Sequence, residues 1–324
     1  MMQLKQALEK YFGFKEFLPG QGEIIRAVLE QQHVLGVLPT GGGKSLCFQL
    51  PGLVLPGLTL VISPLVALMK DQVDGLHARS LYQATYLNSQ LPWREYRERL
   101  WRLKQGAYKL VYLAPERLRS RYFLEAVRHR QVSLLVVDEA HCVSQWGHDF
   151  RPDYLWIPKF YRWLQGNPKL LALTATATPA VQQDILAKLE MENAYRVVGS
   201  SNRPNLFFSV QRVSQEGDKL VALKQMLAGQ SGCGIIYGGT RRDCEFLAKW
   251  LQRELKLPAI YYHAGMKPEE RTAAQERFVS GAVPLIVATN AFGMGINKED
   301  IRFVIHYTIP GSLEAYYQEV GRAG

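Results

Sequence analysis

VLGVLPTGGGKS, residues 34–45, joins a short, mostly apolar run to a glycine-rich turn that closes on Lys-Ser, with a helical stretch to follow. The run is too short for a buried helix and is ended by Pro39, so it reads as a strand buried on both faces, the kind found in parallel sheets. The turn has the composition of a phosphate cradle. Gly41, Gly42 and Gly43, entered through Thr40, let backbone N–H groups close around phosphate oxygens, Lys44 reaches the outer phosphates, and Ser45 can ligate Mg²⁺. Leu38 stands where the strict pattern has its first glycine, but Gly-Lys-Ser between a strand and a helix is intact.

The same pattern continues outward. LTLVI (58–62), LVYLA (110–114), SLLVV (133–137) and LLALT (170–174) complete a first set of five strand candidates. A second set of five contains NLFFSV (205–210), GIIY (234–237), AIYY (259–262), PLIVA (284–288) and RFVIHY (302–307). Amphipathic stretches lie between them, among them 93–106, with Pro92 ahead and Gly106 behind, and 241–255. Strand and helix alternate throughout, which implies an α/β class with mainly parallel sheets and right-handed crossovers. Two sets of strands imply two domains, 1–200 and 201–324, with the join near GSSNRPN (199–205).

Composition agrees with this reading. A chain of 324 residues, 47% hydrophobic and 21% charged, has room for two cores and excludes disorder, collagen and coiled coil. No apolar run approaches the ~20 residues of a membrane span, and the amino terminus lacks a signal-peptide core, so a soluble, intracellular protein is expected, cytoplasmic if the source is bacterial and nuclear if it is eukaryotic. Cys47, Cys142, Cys233 and Cys244 lie in unrelated contexts without metal-site spacing, so they are expected as reduced thiols, with no zinc site. The net charge of +10 is uneven: residues 94–130 hold eleven basic and four acidic residues. A local basic stripe points to a polyanion. The helix at 93–106 can wear Arg94, Arg97, Arg99 and Arg102 as a solvated face beside Glu95 and Glu98, or present them to nucleic acid; the solvated face is the preferred reading.

DEAH (138–141) follows the strand at 133–137, and in open α/β sheets ligands bind outside the carboxyl ends of the strands. There Asp138 can hold the hydration shell of Mg²⁺, and Glu139 can orient and deprotonate an attacking water. His141 takes its weight from the tetrapeptide. The phosphate loop is expected on a neighbouring strand.

With these residues quoted, the chain resembles the helicase core of RecQ-family DNA helicases, within superfamily 2, over nearly its whole length. FGFKEFLPGQ (12–21) is similar to the family's adenine-recognition segment, in which Gln21 would pair with the base and Phe14 would stack on it; Leu18 stands where the family commonly has Arg. The resemblance implies single-strand backbone contacts for SPLVALMKDQ (63–72) and for APERL, through Ser63 and Arg117. CVSQWGHDFRPDY (142–154) resembles the aromatic-rich loop that couples DNA binding to hydrolysis. Trp146 and Phe150 offer stacking faces, while His148, Asp149 and Arg151 link back toward the nucleotide. Thr174 and Thr176 of LTATAT suit a relay between the two lobes. In the second half, 235–251, YHAGM (262–266) and ATNAFGMGINK (288–298) match further motifs, with Thr289, Gly293, Gly295 and Asn297 marked by analogy. Gln318 and Arg322 belong to YYQEVGRAG (316–324), the start of a sixth motif whose second arginine would be residue 325.

The resemblance implies two RecA-like domains, the second truncated at its carboxyl end, and a core that acts as a monomer. It further implies ATP and Mg²⁺ as cofactors, single-stranded and 3′-tailed or forked duplex DNA as partners, 3′→5′ movement, and work in recombination and repair. Two alternatives stay open: a superfamily 2 RNA helicase or duplex translocase, and a nucleotide- and DNA-binding fragment with little turnover.

Overall fold

The computed structural model describes residues 2–147, 149–200, 202–293, 298 and 300–323. His148, Gly295 and Asn297, singled out above, lie outside the described residues. The chain divides into two units, Met1–Ser201 and Asn202–Gly324.

Seven strands build the sheet of the first unit: β1 (Val34–Val37), β2 (Leu58–Ile62), β3 (Ala84–Leu87), β4 (Leu110–Leu113), β5 (Val132–Val137), β6 (Lys169–Thr174) and β7 (Tyr195–Val198). They run in the order β3-β4-β2-β5-β6-β1-β7, and every pair is parallel. The central strands are apolar at successive positions because helices cover both faces. Leu134 and Val136 of β5 enter one core, beneath α1 (Met2–Phe12), α2 (Gln21–Leu29), α3 (Leu46–Val54) and α4 (Val66–His77). Leu135 and Val137 enter the other, beneath α5 (Trp93–Lys104), α6 (Arg121–Val127), α7 (Ile157–Trp163) and α8 (Pro179–Lys188). Each such side chain, fully buried, contributes about 1.5–3 kcal/mol. α5 ends where Gly106, at φ 81°, turns the chain left-handed: its N–H donates to the Leu103 carbonyl and the Ala107 N–H to that of Arg102, both at 3.0 Å.

Two expectations are corrected here. The first half holds seven strands rather than five, since β3 and β7 close the two edges; β7, YRVV, buries only Val197 and so lacks the apolar run that marks an interior strand. The strands carrying the phosphate loop and DEAH are also not neighbours, because β6 lies between β1 and β5.

The second unit has β8 (Cys233–Tyr237), β9 (Ala259–Tyr262), β10 (Leu285–Ala288) and β11 (Ile301–His306), in the order β11-β8-β10-β9, again all parallel. Its helices are α9 (Glu216–Ala228), α10 (Arg241–Glu254), α11 (Pro268–Val279) and α12 (Leu313–Val320). α10 starts on a capping box in which Thr240 and Asp243 satisfy each other's backbone N–H. One core gathers Leu223, Leu247 and Leu251 with Ile236 and Val287, and the other gathers Phe278 and Phe292 with Ile235 and Ile286. NLFFSV is not a strand: among the described residues no strand runs beside it, and Phe207 is 93% exposed. Its apolar side chains lie at the surface, with Phe208 against Tyr316 at 6.2 Å between ring centroids. All four cysteines are buried and free, and among the described residues no helix is long and apolar enough to cross a membrane.

Candidate functional site

The chemistry-bearing residues of the first unit leave the carboxyl ends of β1, β2, β5 and β6. After β1 the loop of Thr40 to Ser45 turns into α3. Gly41 and Gly43 adopt φ of 80° and 65°, a region that strains any residue with a Cβ, and a Cβ on Gly43 would also lie 2.2 Å from Gln21 Nε2. That closeness reveals how the loop is held. Gln21, 3% exposed, accepts from the Leu18 N–H at 2.9 Å and donates to the carbonyls of Gly42 (3.2 Å) and Gly43 (3.0 Å). The side-chain amide expected to face an adenine therefore braces the phosphate loop, because the loop carbonyls are the acceptors within reach. Phe14 is half-exposed, with the Arg79 guanidinium 5.7 Å from its ring centroid. Lys44 Nζ folds back to the carbonyls of Leu38 (3.4 Å) and Pro39 (3.5 Å).

DEAH leaves β5 as a left-handed turn, with Glu139 at φ 48° and ψ 49°; for a non-glycine residue this costs about 1–2 kcal/mol. Asp138 is buried. Its Oδ2 accepts from Ser63 Oγ at 3.2 Å, its Oδ1 from the Glu139 N–H at 3.0 Å, and its carbonyl from the Tyr154 hydroxyl at 2.9 Å. Burial, reinforced by the neighbouring Glu139 charge and opposed by Lys44, pushes the Asp138 carboxyl up to about 7. Two adjacent acids largely withdrawn from water, with Lys44 as the opposing cation, fit a hard divalent ion: Ser45 and Asp138 supply oxygen donors, and a cation there relieves the repulsion. Among the described residues no group of three or more His, Cys, Asp or Glu is arranged to hold a metal.

Ser63 is 2% exposed, and its hydroxyl is turned inward onto Asp138, because β2 lies directly beside β5. Thr174 is fully buried, and its hydroxyl meets His141 Nδ1 at 2.9 Å and the Thr176 carbonyl at 3.1 Å, because β6 lies on the other side of β5. Thr176 Oγ1 is buried without a hydrogen-bond partner. His141 Nδ1 also lies 3.4 Å from Glu139 Oε2, so one short network links DEAH to LTATAT within this unit.

The aromatic loop is strapped under this edge. Arg151 donates to Asp149 Oδ2 through Nε (3.1 Å) and Nη2 (2.9 Å), and through Nη1 to the Pro64 carbonyl (3.0 Å). Gly147 passes so close that a Cβ would lie 2.4 Å from the His141 carbonyl oxygen. Trp146, held by a 3.2 Å bond from its N–H to Ser144 Oγ, is left 80% exposed, and Phe150 is half-buried. Arg117 is half-buried; it donates to the Asn88 carbonyl at 2.9 Å and lies over Tyr96 at 4.9 Å, so it braces the protein. Arg99 is likewise engaged, with the Tyr86 carbonyl (2.9 Å) and Glu95, which leaves Arg94, Arg97 and Arg102 exposed on α5, Arg102 lying 3.8 Å from Glu98.

In the second unit Thr289 follows β10, its N–H donating to the Tyr262 carbonyl at 3.2 Å. Arg322, just past α12, places its charge near the hydroxyl of Tyr237, which donates to the Phe292 carbonyl at 2.9 Å. Burial pushes that phenol up to about 12, with Arg322 opposing. Arg322 lies beside Gly293, whose Cβ would come within 3.2 Å of Nη2. Gln318 is half-buried on α12, and its neighbour Glu319 accepts from His306 Nε2 at 2.8 Å. Residue types alone missed the links Ser63–Asp138, Tyr154–Asp138 and Thr174–His141. Their one signal in the sequence is that each hydroxyl falls in, or next to, a segment already marked.

Comparison with known proteins adds to this geometry. Residues 18–185 match the family described as DEAD/DEAH box helicase, and residues 218–324 match the helicase conserved C-terminal domain. The chain is 44% identical over 324 residues to the probable ATP-dependent DNA helicase RecS of Bacillus subtilis, covering all of this chain and 65% of that protein. It is 45% identical over 318 residues to the ATP-dependent DNA helicase RecQ of the same organism, covering 98% of this chain and 53% of the relative. The chain thus spans roughly half to two thirds of these curated relatives. In fold it is similar to S. cerevisiae Dbp5 bound to RNA and ADP BeF3, with a TM-score of 0.75 at 18% identity, covering all of this chain and 84% of the other. Two RecA-like α/β domains with mainly parallel sheets follow from this likeness.

Proposed function

We propose, for a chain that belongs to the DEAD/DEAH box helicases and among them to the RecQ family, that it is the motor core of an ATP-dependent DNA helicase. ATP is bound by residues 39–45 and hydrolysed beside β5, and the turnover drives 3′→5′ movement along one DNA strand and parting of duplex, in recombination and repair. The observation that carries this reading is the adjacent acid pair, with Asp138 held by Ser63 and Glu139 beside His141, itself bonded to Thr174, at the same sheet edge as the glycine loop.

Each residue has a role that its surroundings support. Lys44 neutralises the outer phosphates once it releases the Leu38 and Pro39 carbonyls. Glu139 takes the proton of the attacking water, and the strained turn presents its carboxylate. Gln21 senses the loop and, with Phe14, the base. Ser45 and Asp138 would hold Mg²⁺, largely through water, and the ion when bound neutralises phosphate charge. Trp146 and Phe150 meet bases of the strand, and Arg151 and Asp149 transmit that contact to the segment after β2. Thr289, Gln318 and Arg322 serve from the second unit, Arg322 as the cation for the transferred phosphoryl group.

Streptavidin displacement tests the motor directly. With ATP, the chain is expected to remove streptavidin from an oligonucleotide biotinylated at its 5′ end. Displacement only from the 3′ end, or none with ATP, overturns the reading.

A further inference from the structure

On the first unit, α6 and α7 enclose two adjoining hollows of about 360 and 150 Å³, with Arg128 and Trp163 lining both. Arg119, Arg121 and Glu125 border the larger, and Arg130 borders the smaller. Arg119 and Arg121 follow the carboxyl end of β4, whereas Arg128 and Arg130 precede β5 and Trp163 precedes β6, so the groove runs along α6 toward the amino edge of the sheet. None of the residues of the phosphate loop or DEAH lines it.

Three features of the groove ask for a ligand. Arg119 is already paired with Asp153, whereas among the described residues Arg121, Arg128 and Arg130 have neither an ion pair nor a side-chain hydrogen bond. The guanidinium of Arg130 lies against Gly106, and among the described residues its buried Nε has no hydrogen-bond partner, which leaves a desolvated donor unsatisfied. Glu125 is the one carboxylate lining either hollow, against four arginines, so the groove carries an excess of positive charge. Trp163 is 41% exposed and is backed by Phe160, stacked at 5.9 Å and 21°, so its indole is presented as a fixed face. From Arg121 to Arg128 the helix advances about 10 Å, a row of cations suited to successive phosphates, and the indole beside it suits a base.

We propose that this groove is an auxiliary site for single-stranded nucleic acid. Arg121, Arg128 and Arg130 hold backbone phosphates and Trp163 stacks on a base. An acidic peptide would match the guanidinium groups but would give the fixed indole face no partner. The groove also assigns part of the basic surplus in 94–130 that no motif absorbs.

The test uses the whole chain without nucleotide, measuring binding of labelled oligo-dT of increasing length by fluorescence anisotropy across a salt series. Arg121→Ala with Arg128→Ala, both exposed positions, should lower the slope of log affinity against log salt by about 1.4, since each phosphate neutralised on a single strand contributes about 0.7. The weakening should appear with long strands and vanish with short ones that the loop at 142–154 alone can hold. Trp163→Ala should weaken long-strand binding by about five-fold or more, with Trp163→Phe restoring most of it, while ATP binding stays unchanged in all variants. An unchanged salt slope in the double variant overturns the proposal. So does a double variant that loses binding of tripolyphosphate or of a poly-glutamate peptide but keeps its oligo-dT binding.

Discussion

Both units carry their candidate residues at the carboxyl ends of parallel strands, but they hold them differently. In the first unit two carboxyl groups lie side by side, one buried and the other on a left-handed backbone; Ser63 after β2 holds Asp138, and Thr174 at the end of β6 holds His141, whose Nδ1 lies 3.4 Å from Glu139 Oε2. In the second unit the matching edge has His306 facing Glu319 and stacked on Tyr237 at 5.4 Å, with the Arg322 charge beside that phenol. The first edge holds like charges close together and a strained backbone. The second pairs its charges internally and offers a guanidinium. Similar sheets therefore carry unequal shares of the chemistry.

Substitutions can break that asymmetry. Glu139→Gln should cut ATP hydrolysis about 10²–10⁴-fold while calorimetric ATP affinity stays near wild type; equal losses in both would reduce Glu139 to a structural residue. Arg322→Ala should lower hydrolysis by about 10²-fold, again without a change in affinity, and an unaffected rate would leave the second unit without a catalytic share. Trp146→Ala should weaken single-strand binding by about 1–3 kcal/mol and abolish DNA stimulation of hydrolysis, leaving the basal rate in place. Ser63→Ala should cost stability of about 1–3 kcal/mol, since a buried carboxylate loses its donor, read as a lower thermal midpoint with ATP binding retained.

Much of this is legible in the sequence because parallel strands and phosphate cradles leave strong local marks. The glycine loop, the DEAH turn and the interior strands all announce themselves through composition. What stays hidden depends on which strand lies beside which. Nothing in its own segment tells Ser63 from a surface contact, since its partner is set by β2 lying next to β5, and Thr174 is set against His141 only by the place of β6. Edge strand β7 has one buried residue in four and so no apolar run, while NLFFSV has the run but no partner strand among the described residues. Gln21 falls in the expected neighbourhood, yet the acceptors that its amide finds are the carbonyls of the loop itself.

The most direct measurement is the rate of ATP hydrolysis by this chain with no nucleic acid, with oligo-dT and with oligo-rU. A RecQ-type DNA motor driven from the first unit's sheet edge gives strong stimulation by DNA and little by RNA. Stimulation by RNA alone, or a rate indifferent to both, would contradict it.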